Sequence, residues 1–159
     1  MRRKSERQSK VKVVGLFRGQ LVDPKTGKVC GDTGWVKNKL TNAGLTQLAL
    51  LIGGGAGGYA VTYMAAGTQA SAVDMSQTDL VGRTHSFVTA APTTSGTCTA
   101  TFTVDFGSAS LSASCSVGAV GLYKTNSAGS LIACQTFATS QWNTNQDFNV
   151  TYQLRFATA

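Results

Sequence analysis

The chain offers few side chains with which to do chemistry. Its one histidine, His85, sits in Arg83-Thr84-His85-Ser86, which matches no nucleophile motif, and apart from Glu6 every acidic residue is an aspartate. Hydrolytic triads and Cys/His pairs need a base beside a nucleophile, and zinc or two-metal sites need a fuller set of ligands. The four cysteines, Cys30, Cys98, Cys115 and Cys134, are too far apart for a Cys-x-x-Cys pair. The glycine run Gly53 to Gly58 lacks the Gly-Lys-Ser/Thr ending of a phosphate cradle and follows a helical pattern rather than a strand. The expectation is therefore a protein with no catalytic residue, no cofactor and no metal site. The basic start Met1-Arg2-Arg3-Lys4 runs into polar residues rather than an apolar stretch, so no secretory signal is read and the thiols are expected to stay reduced. Cys98 and Cys115 are the pair expected to face each other across a hairpin, and would join only under oxidising conditions.

If chemistry is scarce, charge is unevenly placed. Only 13% of the 159 residues are charged, against about 25% in an ordinary domain. Residues 1–39 hold eleven of the fourteen Lys and Arg and three of the seven acidic residues, a net +8; residues 40–159 carry three against four, a net −1. The basic excess is densest in Arg2, Arg3, Lys4, Arg7, Lys10 and Lys12, read as a flexible arm over residues 1–10 with partner-binding capacity. Basic residues without interleaved aromatics suit acidic protein surfaces or sequence-independent phosphate contact. A near-neutral body with few charges has little colloidal protection of its own, so it is expected to pack against partners.

The elements that would carry these residues are mostly strands. Val11 to Phe17 and Leu21-Val22 read as a first strand, Asp23-Pro24-Lys25-Thr26-Gly27 as a turn, and Lys28 to Cys30 as the antiparallel return, with Trp35-Val36 ending the hairpin. Thr41 or Asn42 caps a short helix to Ile52, with Leu45, Leu48, Ala49, Leu51 and Ile52 at helical spacing. No charge occurs from Leu40 to Val73, yet the glycines interrupt this stretch, so no membrane span is expected. Tyr59 to Ala66 reads as a strand. Cys98, Ala100, Phe102, Val104 and Phe106 alternate with polar residues, as do Phe148, Val150, Tyr152, Leu154 and Phe156. With Val117 to Tyr123 and Leu131 to Phe137 between them, the pattern predicts a mainly β chain: one antiparallel β-sandwich or jelly-roll domain over residues 11–159.

The order of segments resembles a known group. The hairpin at Asp23 to Gly27 and the helix opening Leu40-Thr41-Asn42-Ala43-Gly44-Leu45 are followed by Tyr63 to Thr68, Asp79 to Thr84, Val120 to Tyr123, Leu131 to Phe137 and Asp147 to Phe156. Over residues 11–157 this resembles small virion structural proteins of tailed bacteriophages, namely capsid decoration (cement) proteins and tail or fibre-associated proteins. The resemblance implies a β-sandwich that binds the major capsid protein or other virion subunits, forms a homo-oligomeric dimer or trimer, and is assembled into virions in the host cytoplasm. It brings no catalytic residues with it. The cysteines and the basic arm lie outside the pattern, and nucleic acid stays open as a partner of the arm.

Overall fold

The computed structural model describes residues 11–52, 60–95 and 98–158. Ten strands and one helix are described: β1 (Val11–Val22), β2 (Val29–Asp32), β3 (Val36–Leu40), α1 (Asn42–Ile52), β4 (Tyr63–Gly67), β5 (Val88–Thr89), β6 (Pro92–Ser95), β7 (Thr99–Phe106), β8 (Cys115–Tyr123), β9 (Leu131–Trp142) and β10 (Asp147–Thr158). A 3-10 turn, Ser108–Ser110, separates β7 from β8. All strand pairings are antiparallel, in the order β5-β4-β8-β9-β3-β1-β10-β7-β6, with β2 on β1.

The chain is mainly β, and the strands form one sheet curled into a half-barrel. This differs from the two separate sheets expected of a sandwich, and the reason lies in β3. Rather than ending the hairpin at Trp35-Val36, the chain continues through β3, which pairs Val36, Lys37 and Asn38 with β1 and then Lys39 and Leu40 with β9. A five-residue strand shared between neighbours joins the two arms, β1-β10-β7 on one side and β9-β8-β4 on the other. The apolar faces of the arms meet in a core of Phe17, Phe102, Phe106, Trp142, Phe148 and Tyr152 with aliphatic partners.

The arm β1-β10-β7 follows the expected alternation. Phe148, Val150, Tyr152 and Leu154 are buried, while Asn149, Thr151, Gln153 and Arg155 point outward. Cys98 and Phe156 depart from it. Cys98 sits before β7 at φ 54° and is exposed, and Phe156 lies at the exposed end of β10. In β8, by contrast, every residue from Val117 to Tyr123 is buried. A second, smaller core explains this: Ala65, Ala119, Tyr123, Leu131 and Cys134 on the back of this arm are covered by Val73 and Leu80. The segment 68–87 acts as a lid, and a strand buried on both faces has no polar side to show.

Candidate functional site

Helix α1 begins where Thr41 leaves β3. The Thr41 hydroxyl accepts from Gly44 N (3.1 Å) and lies 2.8 and 2.9 Å from the carbonyls of Leu131 and Ile132, which fixes the helix start against β9. Gly44 is the point of closest approach: a Cβ there would lie 2.1 Å from the Ile132 carbonyl. The face turned inward is therefore Gly44, Gln47 and half-buried Leu48, and the other leucines at helical spacing lie away from it. Leu45, Leu50 and Leu51 remain 45%, 39% and 49% exposed, and Met75, whose carbonyl accepts from Asn42 N, is 47% exposed beside the helix start. The spacing of apolar residues correctly marked a helix; it did not mark which side is covered.

A second apolar surface lies on the hairpin side. Val29 and Trp35 are 46% and 48% exposed. Next to them a cleft of about 310 Å³ opens between the arms, lined by Leu21, Val36, Val117, Phe137 and Phe148 with Gly19 at its wall. The hairpin is held by Asp32, which accepts from the Arg18 guanidinium at 2.6 Å, from Gln20 Nε2 at 3.0 Å and from Gly34 N at 2.8 Å. These donors, Arg18 first, hold the Asp32 carboxyl down at about 2 despite an opposing cost of burial.

Of the basic residues read as an arm, Lys12 is an exposed residue of β1 opposite Ala157. Arg2, Arg3, Lys4, Arg7 and Lys10 lie outside the described residues. The exposed Lys25, Lys28 and Lys37 extend the basic quarter onto the β1–β3 side. Cys98 and Cys115 are both free thiols, as are Cys30 and Cys134. The hairpin expected to unite Cys98 and Cys115 does not form, because β7 pairs with β10 and β6 while β8 pairs with β4 and β9. Cys98 precedes the eight-residue β7 and Cys115 follows its far end, a strand length of about 25 Å. Burial pushes the Cys134 thiol up to about 12 and raises that of Cys115, whose opposing influence is a hydrogen bond from Thr84. Neither is an activated nucleophile.

The lid carries the densest polar network. Tyr123 donates its hydroxyl hydrogen to Asp79 Oδ1 at 2.8 Å and accepts from Leu80 N at 3.0 Å. Burial, and then the hydrogen bond to the Asp79 carboxylate, push this phenol well above its ordinary value. Gln69 and Gln77 exchange reciprocal amide bonds of 3.0 and 2.5 Å, and Gln69 Oε1 also accepts from Val81 N. Every group here is committed to holding the lid, which reads as architecture. His85, at the lid's end, stacks on Trp142. Among the described residues no three His, Cys, Asp or Glu side chains gather as a metal site, and no helix is long and apolar enough to cross a membrane.

These features define a class first: a β protein with a curled sheet, a lid over one arm, and apolar side chains displayed on a short helix and a hairpin. Comparison with family models, curated proteins and solved structures finds no match.

Proposed function

We propose that this chain acts by binding, as a virion structural protein, and specifically as a capsid decoration or cement subunit whose curled arms serve as the two layers of a sandwich. One observation carries the reading: α1, free of charge along its length, buries Gly44 and Gln47 and leaves Leu45, Leu50 and Leu51 outside. An exposed apolar group on a body of net charge −1 marks a surface that a partner covers. The basic N-terminal residues add charge-assisted contacts to an acidic shell, and repeated copies on a lattice add avidity. Deletion of residues 1–10 is expected to lower occupancy on purified particles and to make attachment less sensitive to salt. Unchanged occupancy would remove the basic segment from the interface.

A tail, neck or fibre-anchoring role uses the same surfaces, and densitometry of purified particles separates the two. Hundreds of copies mean decoration, and a handful mean a tail or vertex position. A different reading, sequence-independent nucleic-acid binding, is favoured by the net +8 of residues 1–39 and the exposed lysines of the hairpin. Phosphate contact requires affinity to fall steeply with salt, so a filter-binding titration with DNA across salt tests it directly.

A further inference from the structure

We propose that His85 is a proton-operated latch between the end of the lid and the 3-10 turn Ser108–Ser110. Its imidazole bridges two segments: Nδ1 lies 3.0 Å from the Ser86 carbonyl, and Nε2 is hydrogen-bonded to Ser110 Oγ. Ser110 Oγ in turn donates to the Gly107 carbonyl at 2.7 Å. This is a row of three links ended at both sides by carbonyl oxygens, which accept and never donate. Three links need three hydrogens, and the serine hydroxyl supplies one. A neutral imidazole supplies only one more. With the hydrogen on Nδ1, the serine serves either Nε2 or Gly107 but not both. With the hydrogen on Nε2, the Nδ1 lone pair faces the Ser86 oxygen. Only the doubly protonated, cationic ring completes the row.

Aromatic side chains frame the ring. The ring is stacked at 5.6 Å on the indole of buried Trp142 and meets the edge of Phe106 at 5.2 Å, and an aromatic face attracts positive charge. The charged and titratable groups on the neighbouring elements leave the ring to these contacts. Arg83, on the same segment, lies over Phe87 and pairs with Asp79. Cys115 of β8 is a half-buried free thiol. Asp147 of β10 accepts from Ser108 N, and Asp105 of β7 lies on the sheet face opposite Phe106. Among the described residues the imidazole has no carboxylate partner.

The latch is closed when the ring carries both hydrogens and loses one link when it becomes neutral. Its contribution to holding the lid is present at acidic pH and disappears as pH rises through the ring's titration. His85 is the sole histidine, so its ring signals are assigned without ambiguity. The test is ring-nitrogen NMR and amide exchange on the full chain between about pH 5 and 8. The expected result is two hydrogen-bonded ring N–H signals at the acidic end. Protection of the Ser110 and Leu111 amides should fall about tenfold toward the basic end, the scale of one hydrogen bond to a charged group. Ser110→Ala should abolish that pH dependence. Protection that ignores pH, or a pH dependence that survives Ser110→Ala, would overturn the latch.

Discussion

Strands β8 and β10 sit in opposite arms of the same sheet and solve different burial problems. In β10, buried Phe148, Val150, Tyr152 and Leu154 alternate with Asn149, Thr151, Gln153 and Arg155, because only one face meets the core. In β8, Val117 to Tyr123 are buried without interruption, and the sequence Val-Gly-Ala-Val-Gly-Leu-Tyr holds no charge. The lid makes the difference. A side chain on β10 has one packed face and one partly exposed one, whereas β8 is pressed between Phe-rich core and lid and carries Ala119 and Tyr123 buried on its back. Damage on the core side should therefore spread to both arms, and damage on the lid side should stay in one.

The largest effect expected is from the shared core. Trp142 is fully buried, packs against Phe148 at 5.6 Å and Phe106 at 6.3 Å, and donates Nε1–H to the Gln146 carbonyl. Trp142→Ala should cost about 3–5 kcal/mol, seen as a lower midpoint in urea unfolding and weakened amide protection in both β8 and β10. The lid side gives a smaller and local effect. Tyr123→Phe removes the hydroxyl shared by Asp79 and Leu80 N, which still bond each other at 2.9 Å while Arg83 still pairs with Asp79, so the loss is that of an ordinary hydrogen bond, about 1 kcal/mol. Amide exchange at Leu80 and Val81 should accelerate while β10 stays protected; loss of protection across β10 would refute the division into a shared core and a separable lid.

The same contrast explains what was legible beforehand. Alternation located β7 and β10, the Asp23-Pro24 turn located the β1–β2 hairpin, and helical spacing behind a Thr41 or Asn42 cap located α1. What pattern alone does not carry is which distant segment covers a face. Leucine spacing marked α1 as a helix without saying which side is covered, and Gly44 lets the helix approach the Ile132 carbonyl with the Gly44 and Gln47 side inward. The joining of the two arms through β3 depends on five residues, Val-Lys-Asn-Lys-Leu, whose alternation marks a strand but names no partners. The Cys98–Cys115 hairpin was inferred from adjacency in sequence, and the sheet order separates β7 from β8. Of the surfaces proposed for binding, the basic segment was legible as charge; the exposed leucines and Trp35 became visible only once the fold showed what was left uncovered.

A weaker test falls on the hairpin beside the first arm. Asp32 is held at about 2 by Arg18, Gln20 and Gly34 N, against an ordinary 3.8. The folded value is the lower one, so the carboxylate's contribution is complete above the unfolded value and is lost as pH falls from 3.8 through 2. The Arg18–Asp32 pair is partly solvent-exposed, which limits that contribution to about 1 kcal/mol or less. Asp32→Asn should leave stability at neutral pH within that margin and flatten the acid limb of the thermal unfolding curve. A wild-type acid limb unchanged by the substitution would show that the hairpin is held by its strand pairing alone.

A change in stability no larger per site is expected at α1, where the functional change should be greatest. Leu45 and Leu51 are about half exposed, so polar replacement should lower unfolding free energy by no more than about 1 kcal/mol per site. If a partner covers them, removing the exposed half of each leucine from water contributes about 1 kcal/mol. The double variant Leu45→Gln/Leu51→Gln should therefore stay folded within that stability margin and yet detach from particles, or fail to self-associate in sedimentation. A melt within that margin with unchanged attachment would remove α1 from the interface and leave the Trp35 and Val29 surface as the remaining apolar contact. A large loss of stability would instead mean that the leucines hold the fold, contrary to their exposure. Because each leucine is about half exposed, the folding and binding terms are of similar size, and the melt measured beside the attachment separates what builds the protein from what it presents.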